Sequence, residues 1–126
     1  MIMAAVFDEL THGVKRLRDI VGFYRDMHSE AKDFLDKLDL LDRILKLVDA
    51  NSSNILEALN YALGKIHAVY SKLDGSELFE RKEQMDRQKQ TEQANLSTDT
   101  LNALSETSQE IHMATSAIIV VSSSQE

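Results

Sequence analysis

The sequence predicts an all-α protein, either a long helical hairpin or a three- or four-helix bundle with coiled-coil-like seams. The 126 residues contain no proline, and an interior proline costs a helix about 3 kcal/mol, so long helices are the structures that most need it excluded. Apolar residues also recur at alternating steps of three and four in two long stretches, the heptad pattern of packed helices. The length, 1–126, suits one domain and is short for two.

The first helix is predicted from about residue 5 to 49. Its seam runs at heptad spacing through Leu10, Val14, Leu17, Val21, Tyr24, His28, Ala31, Leu35 and Leu38. Charged residues fill most intervening positions and form a solvated face opposite the seam. Gly13 and Gly22 lie inside this helix, where each costs roughly 1 kcal/mol relative to alanine. Either solvent exposure or close approach of another backbone explains a glycine there.

The second helix is predicted from about residue 54 to 73. A polar turn at 49–54 precedes it, and Asn54 followed by Glu57 resembles a capping box. The helix is predicted to end just before Gly75, which in that position favours a positive φ. Ser76 is a suitable N-cap for a following helix.

The third helix is predicted over about 76–121, either continuous or broken near 96–98, with 122–126 as a tail. Its first part, 80–97, is almost entirely polar. A thinner seam follows, in which small polar residues replace about half of the apolar ones: Ala94, Ser97, Leu101, Leu104, Ser108, Ile111, Thr115 and Ile118.

This thin seam predicts contact with another chain. Residues 80–97 offer so little apolar area that burial within a monomer does not offset the entropy of ordering them. We therefore expect 80–121 to form the main partner surface, anchored by four residues of the seam. These are Leu101, Leu104, Ile111 and Ile118. The apolar run at 117–121 is expected either to pack at a bundle end or to insert into a partner.

The residues that carry most enzyme and metal chemistry are missing or isolated. Without cysteine there is no disulfide and no thiolate ligand. Glu9 and His12 match half of a di-iron site, but no second Glu-x-x-His copy exists. The acids Asp33, Asp36, Asp39 and Asp42 lack the spacing and glycine of a calcium loop and are interpreted as surface residues. We expect no enzyme, metal or cofactor.

His28 is the histidine that falls on the first seam. A single seam histidine is usually a buried residue with a satisfied hydrogen bond, or one that fixes helix register. The alternative is a contact that responds to pH, because an imidazole titrates near neutrality.

Charge and hydropathy limit the partners. The net charge is −7, and residues 76–126 hold 4 basic against 9 acidic residues. No clustered positive face is available for nucleic acid or an anionic membrane. The longest apolar run, 117–121, is far shorter than the roughly 20 residues of a membrane span. The apolar start lacks the basic segment of a secretory signal, which predicts a cytoplasmic protein or one exported without a cleaved signal peptide.

These features predict a non-enzymatic helical interaction protein in a homo- or hetero-assembly, with itself or another helical protein as partner. The cysteine-free, Gln/Ser/Thr/Ala-rich C-terminal half resembles, in composition, the small α-helical subunits, chaperones and filament proteins of bacterial secretion systems. That resemblance implies a structural subunit, adaptor or chaperone-like role. The alternative is a membrane-perturbing helical bundle, suggested by the apolar segments near both termini.

Overall fold

The computed structural model describes residues 2–48, 54–88 and 95–123. Within these ranges the chain forms five helices and no strand. They are α1 (Ile2–Gly22), α2 (Ser29–Leu47), α3 (Ile55–Leu73), α4 (Glu77–Gln88) and α5 (Thr98–Ser123). The helices pack against one another around a common apolar core, which confirms the predicted all-α fold.

Helices α1 and α2 form an antiparallel hairpin held by ion pairs along one side. Arg18 lies 3.2 Å from Asp42, and Arg25 lies 3.4 Å from Asp36 and 3.0 Å from Asp39. The interpretation of these acids as surface residues is therefore wrong for Asp42, whose side chain is only 15% exposed. Pairing to the neighbouring helix explains how a carboxylate lies so far from solvent.

The directions of α3 and α5 follow from their own contacts. Helix α3 runs parallel to α1, because Glu9 meets His67 while the later residue Arg16 lies over the ring of Tyr70. Helix α5 runs antiparallel to α3, since Lys72 pairs with Glu106 and Lys65 with Glu110. Helices α2 and α5 are consequently parallel. The N-terminus of α1 and the C-terminus of α5 point toward the same end of the bundle.

Helix α5 is the element that completes the core. It packs most extensively against α3 and next against α2, whereas α1 packs against α2 and α3 from the other side. Helices α2 and α3, although consecutive in the chain, lie across the bundle from each other. The short helix α4 is a connecting element that contacts α1.

A single first helix over 5–49 is wrong, because the chain turns between α1 and α2 at residues 23–28. The corner is built from i→i−3 hydrogen bonds, including Tyr24 N–H to Val21 C=O at 2.9 Å. His28 then adopts an extended conformation, with φ −141° and ψ 133°, which ends the helical run. The seam residues of α1 and those of α2 face the same core. The heptad spacing of apolar residues therefore continues through the corner although the helix does not.

The turns give mixed outcomes for the sequence predictions. Gly75 has φ +81°, as predicted for the residue that follows a helix. The predicted capping box at Asn54 is wrong, since Asn54 has helical dihedrals and no side-chain cap hydrogen bond. Most of the predicted turn at 49–54 lies outside the described residues.

The glycines of α1 differ in their surroundings. A Cβ built on Gly13 meets Ile66 Cγ2 at 3.1 Å, and Tyr70 Oη donates to the Gly13 carbonyl at 2.8 Å. Gly13 therefore allows α1 and α3 to approach closely. A Cβ on Gly22 meets nothing within 4 Å, so solvent exposure accounts for that glycine.

Replacing Gly64 with alanine is expected to stabilise the protein by about 0.5–1 kcal/mol, because α3 gains helix propensity and a Cβ there meets nothing within 4 Å. Gly13→Ala is the matched comparison, in which the crowded contact with Ile66 cancels or reverses that gain. Urea unfolding of both variants measures the difference. Equal stabilisation by the two alanines would contradict close packing at Gly13.

Candidate interaction surface on helix α5

The start of α5 is set by Ser97. The Ser97 hydroxyl accepts a hydrogen bond from Thr100 N–H at 3.3 Å, and Leu101 N–H donates to the Ser97 carbonyl at 3.0 Å. These are the contacts of an N-cap residue. Residues 95–97 are not helical, and α5 begins at Thr98. The chain therefore has a helix start near 96–98, one of the two alternatives that the sequence left open.

Glu77 of α4 fastens this start to the rest of the bundle. Its carboxylate accepts from Ser97 N–H at 3.2 Å, from Ser97 Oγ at 2.9 Å and from the Thr100 hydroxyl. Partial desolvation raises the pKa of Glu77, but these hydrogen bonds and the charge of Arg81 outweigh it and lower the pKa overall. Because its pKa is lowered in the folded state, the ionised Glu77 carboxylate stabilises the fold at pH values above the ordinary glutamate pKa. This contribution is lost as the pH falls through the lower, folded value.

Three of the four predicted partner anchors lie in the core of the chain itself. Leu104, Ile111 and Ile118 are all 0% exposed, and Leu101 is partly buried. The inner stripe of α5 is therefore covered by α3 and α2 of the same molecule. The structure thus places these three side chains inside the bundle, where they contribute to the core of the same chain.

Three buried hydroxyl groups of α5 are satisfied within the helix itself. Thr107 donates to the Ala103 carbonyl at 2.7 Å, Ser108 to the Ser105 carbonyl at 2.7 Å, and Thr115 to the Ile111 carbonyl at 2.9 Å. A buried hydroxyl bonded to its own helix avoids the cost of an unsatisfied polar group. The polar character of the seam is therefore compatible with a core position and does not require a partner.

The outer face of α5 carries exposed apolar side chains that the sequence prediction did not select. Met113 is 43% exposed, Ile119 39% and Val120 67%. The apolar run at 117–121 is thus divided, with Ile118 inside the core and its two successors outside. From residue 111 to 123 the helix has no charged residue at all. We call the exposed face of α5 that carries Met113, Ile119 and Val120 the α5 outer patch.

A second apolar stripe lies on the neighbouring parallel helix α2. Leu40 is 43% exposed and Leu47 80%, and the half-buried Ile44 lies between them. Their spacing of four and three places all three on one side of α2. The signal for both stripes was present in the sequence as apolar residues off the seam. The position of each helix in the bundle was needed to recognise them as exposed.

A shallow groove between α1 and α3 contains the half-motif of Glu9 and His12. Glu9 faces His67 at 3.4 Å, whereas the His12 ring bonds the Asp8 carbonyl at 2.9 Å. Across the described ranges, no three His, Asp or Glu side chains are grouped so that they could hold a metal ion.

No described helix has the length and apolar character needed to cross a membrane. No family model, curated protein or solved structure matches this chain.

Proposed function

We propose that the protein is a non-enzymatic helical interaction protein that assembles through the α5 outer patch, with a second copy of the chain as its first partner. The observation that carries this proposal is an exposed helical face of three turns with large apolar side chains and no charge. Depletion of charge and enrichment of apolar residues distinguish the centre of an interface from ordinary surface. Contiguous exposed apolar surface also marks binding sites on otherwise soluble folds.

The charge distribution supports pairing with an identical copy. The chain has a net charge of −7, which opposes contact between most of its surfaces. The acids of α5, which are Asp99, Glu106 and Glu110, all precede the patch. In a twofold contact the same patch meets itself, so apolar surface covers apolar surface without opposing like charges. The stripe of Leu40, Ile44 and Leu47 on α2 extends the contact on one side.

The test is the molecular mass of the full chain, measured by sedimentation equilibrium from micromolar to millimolar concentration. The wild type is expected to dimerise in this range, and Val120→Lys is expected to weaken the dimer at least about tenfold, equivalent to about 1.4 kcal/mol. The added lysine lowers the net negative charge of each copy and so reduces the general repulsion between two copies. This effect alone would strengthen the dimer, so a weaker dimer must come from disruption of the patch.

Asn102→Lys is the matched control, because it adds the same charge at an exposed position of α5 before the patch. We expect it to leave the dissociation constant within about twofold of wild type, a difference well below 1.4 kcal/mol. Circular dichroism verifies that both variants remain folded. A wild type that stays monomeric up to millimolar concentration contradicts the proposal, as does equal weakening by both lysines.

A membrane-perturbing bundle is the second candidate, and the fold supplies one observation in its favour. The N-terminal part of α1, with the partly buried Val6 and Phe7, points toward the same bundle end as the apolar end of α5. Two apolar segments at one end suit insertion into the membrane surface. Dye release from neutral liposomes at neutral pH by wild type, lost in Val120→Lys, favours this candidate over assembly. Absence of release rejects it.

A further inference from the structure

One hydrogen bond joins two distant parts of the chain. The backbone N–H of Leu96 donates to Nε2 of His28 at 3.1 Å, and the Leu96 side chain is buried at 5% exposure. His28 is the N-cap residue of α2, directly after the corner that ends α1. The bond therefore fastens the segment before α5 to the corner between α1 and α2.

This bond requires a neutral imidazole with the proton on Nδ1. A backbone amide donates and cannot accept, so Nε2 must present its lone pair. The neutral ring has one donor and one acceptor nitrogen, whereas the imidazolium ion has two donors. Protonation of His28 therefore removes the acceptor and sets two N–H groups against each other. Histidine side chains ordinarily take up this proton near pH 6.5.

The other histidines do not share this property. Nδ1 of His12 bonds the Asp8 carbonyl at 2.9 Å, and a carbonyl only accepts, so the ring is a donor before and after protonation. His67 lies 3.4 Å from the Glu9 carboxylate, a pair that protonation strengthens. His112 is exposed on α5. Among the four, His28 is the histidine whose observed hydrogen bond depends on the neutral ring.

The charged residues closest in the chain to His28 and Leu96, together with those of α4 that hold residues 95 and 97, belong to three segments. They are Arg25, Asp26, Glu30 and Lys32 beside His28 in the chain, Glu77 and Arg81 of α4, and Asp99 of α5. The two from α4 hold the neighbours of Leu96, because Glu77 accepts from Ser97 and Arg81 donates to the Asn95 carbonyl at 3.3 Å. These seven residues comprise four carboxylates and three cations, so their net charge is −1.

We propose that His28 is a pH-sensitive latch. With the ring neutral, the latch holds residues 95–97 against the corner between α1 and α2. Protonation opens it and releases the Leu96 amide, while Glu77 continues to hold Ser97 and Thr100 and the interior of the bundle stays packed. Because the closed form binds one proton fewer than the open form, acidification shifts the equilibrium toward the open form by up to about tenfold per pH unit. The latch does not depend on the proposed assembly.

Nuclear magnetic resonance of the full chain tests the latch in two ways. At neutral pH, nitrogen–proton correlations of the His28 ring are expected to show Nδ1 protonated and Nε2 unprotonated. Between about pH 7.5 and 5.5, the hydrogen-exchange protection factor of the Leu96 amide is expected to fall about tenfold. The Leu38 amide in the core of α2 should keep its protection. The loss of the Glu77 contribution belongs to lower pH and does not enter this window.

Two glutamine variants separate the latch from general acid effects. His28→Gln retains a side-chain acceptor that does not titrate, so Leu96 protection is expected to become independent of pH. His12→Gln removes a histidine whose bond survives protonation, so the wild-type response is expected to remain. A neutral His28 protonated on Nε2 overturns the proposal. So does a Leu96 protection factor that is constant in wild type or falls equally in His28→Gln.

Discussion

Ile111→Asp is expected to unfold the whole bundle, not to weaken an assembly. Ile111 is 0% exposed between α5 and its two neighbours, so the new carboxylate has no water and no cation partner. An uncompensated buried charge costs about 3–5 kcal/mol or more, against a total stability of about 5–15 kcal/mol for a typical domain. Thermal unfolding followed by circular dichroism measures the effect.

Met113→Asp is the matched control for this experiment. It introduces the same side chain two residues later on the same helix, where the native methionine is 43% exposed. A surface substitution of this kind changes stability by about 0.5 kcal/mol or less. If both aspartates were tolerated equally, the inner stripe of α5 would not be core, and the four original anchor residues would regain their place as a partner surface.

Leu38→Ala is expected to cost about 2–5 kcal/mol, the range for deleting a fully buried leucine and leaving a cavity. Leu38 is 0% exposed in the middle of α2. Leu17→Ala on α1 should cost a similar amount, since Leu17 is also 0% exposed. Chemical denaturation of each variant gives the free energy of unfolding directly.

Leu40→Ala provides the comparison, because it makes the same chemical change two residues away on α2. Leu40 is 43% exposed, so its truncation removes little buried area and should cost about 0.5 kcal/mol or less. Losses below about 1 kcal/mol at both Leu17 and Leu38 would show that the first seam faces solvent. The bundle described above would then be incorrect.

Periodicity was sufficient to predict the fold class and most of the α1–α2 core. Every residue of the first seam except His28 is buried. The heptad pattern does not predict the corner at 23–28. A hairpin of two helices and one continuous helix bury the same heptad positions, so the spacing is the same for both. No proline or paired glycines interrupt the spacing there. The turn is established by the backbone hydrogen bonds of the corner and by the ion pairs of Arg18 and Arg25, which join α1 to the reversed α2.

The four predicted anchors lie on α5, but three of them face the core, and the exposed apolar residues of that helix lie on its other side. The hydroxyl groups of Ser108 and Thr115 suggested a seam too polar for a core. Their hydrogen bonds to carbonyls of α5 remove that objection. Sequence spacing separates the two sides of a helix, but which side is covered depends on the helices that pack there. In α5 that information came from α2 and α3.

The diagonal placement of α2 and α3 has a consequence for the order in which this chain folds as it leaves the ribosome. Both helices emerge before α5, yet each finds one of its two neighbours only when α5 arrives. Until then the nascent chain presents the faces of α2 and α3 that α5 later covers. The bundle therefore closes only after α5 has been synthesised, and the uncovered intermediate is the species most prone to aggregate or to occupy a chaperone.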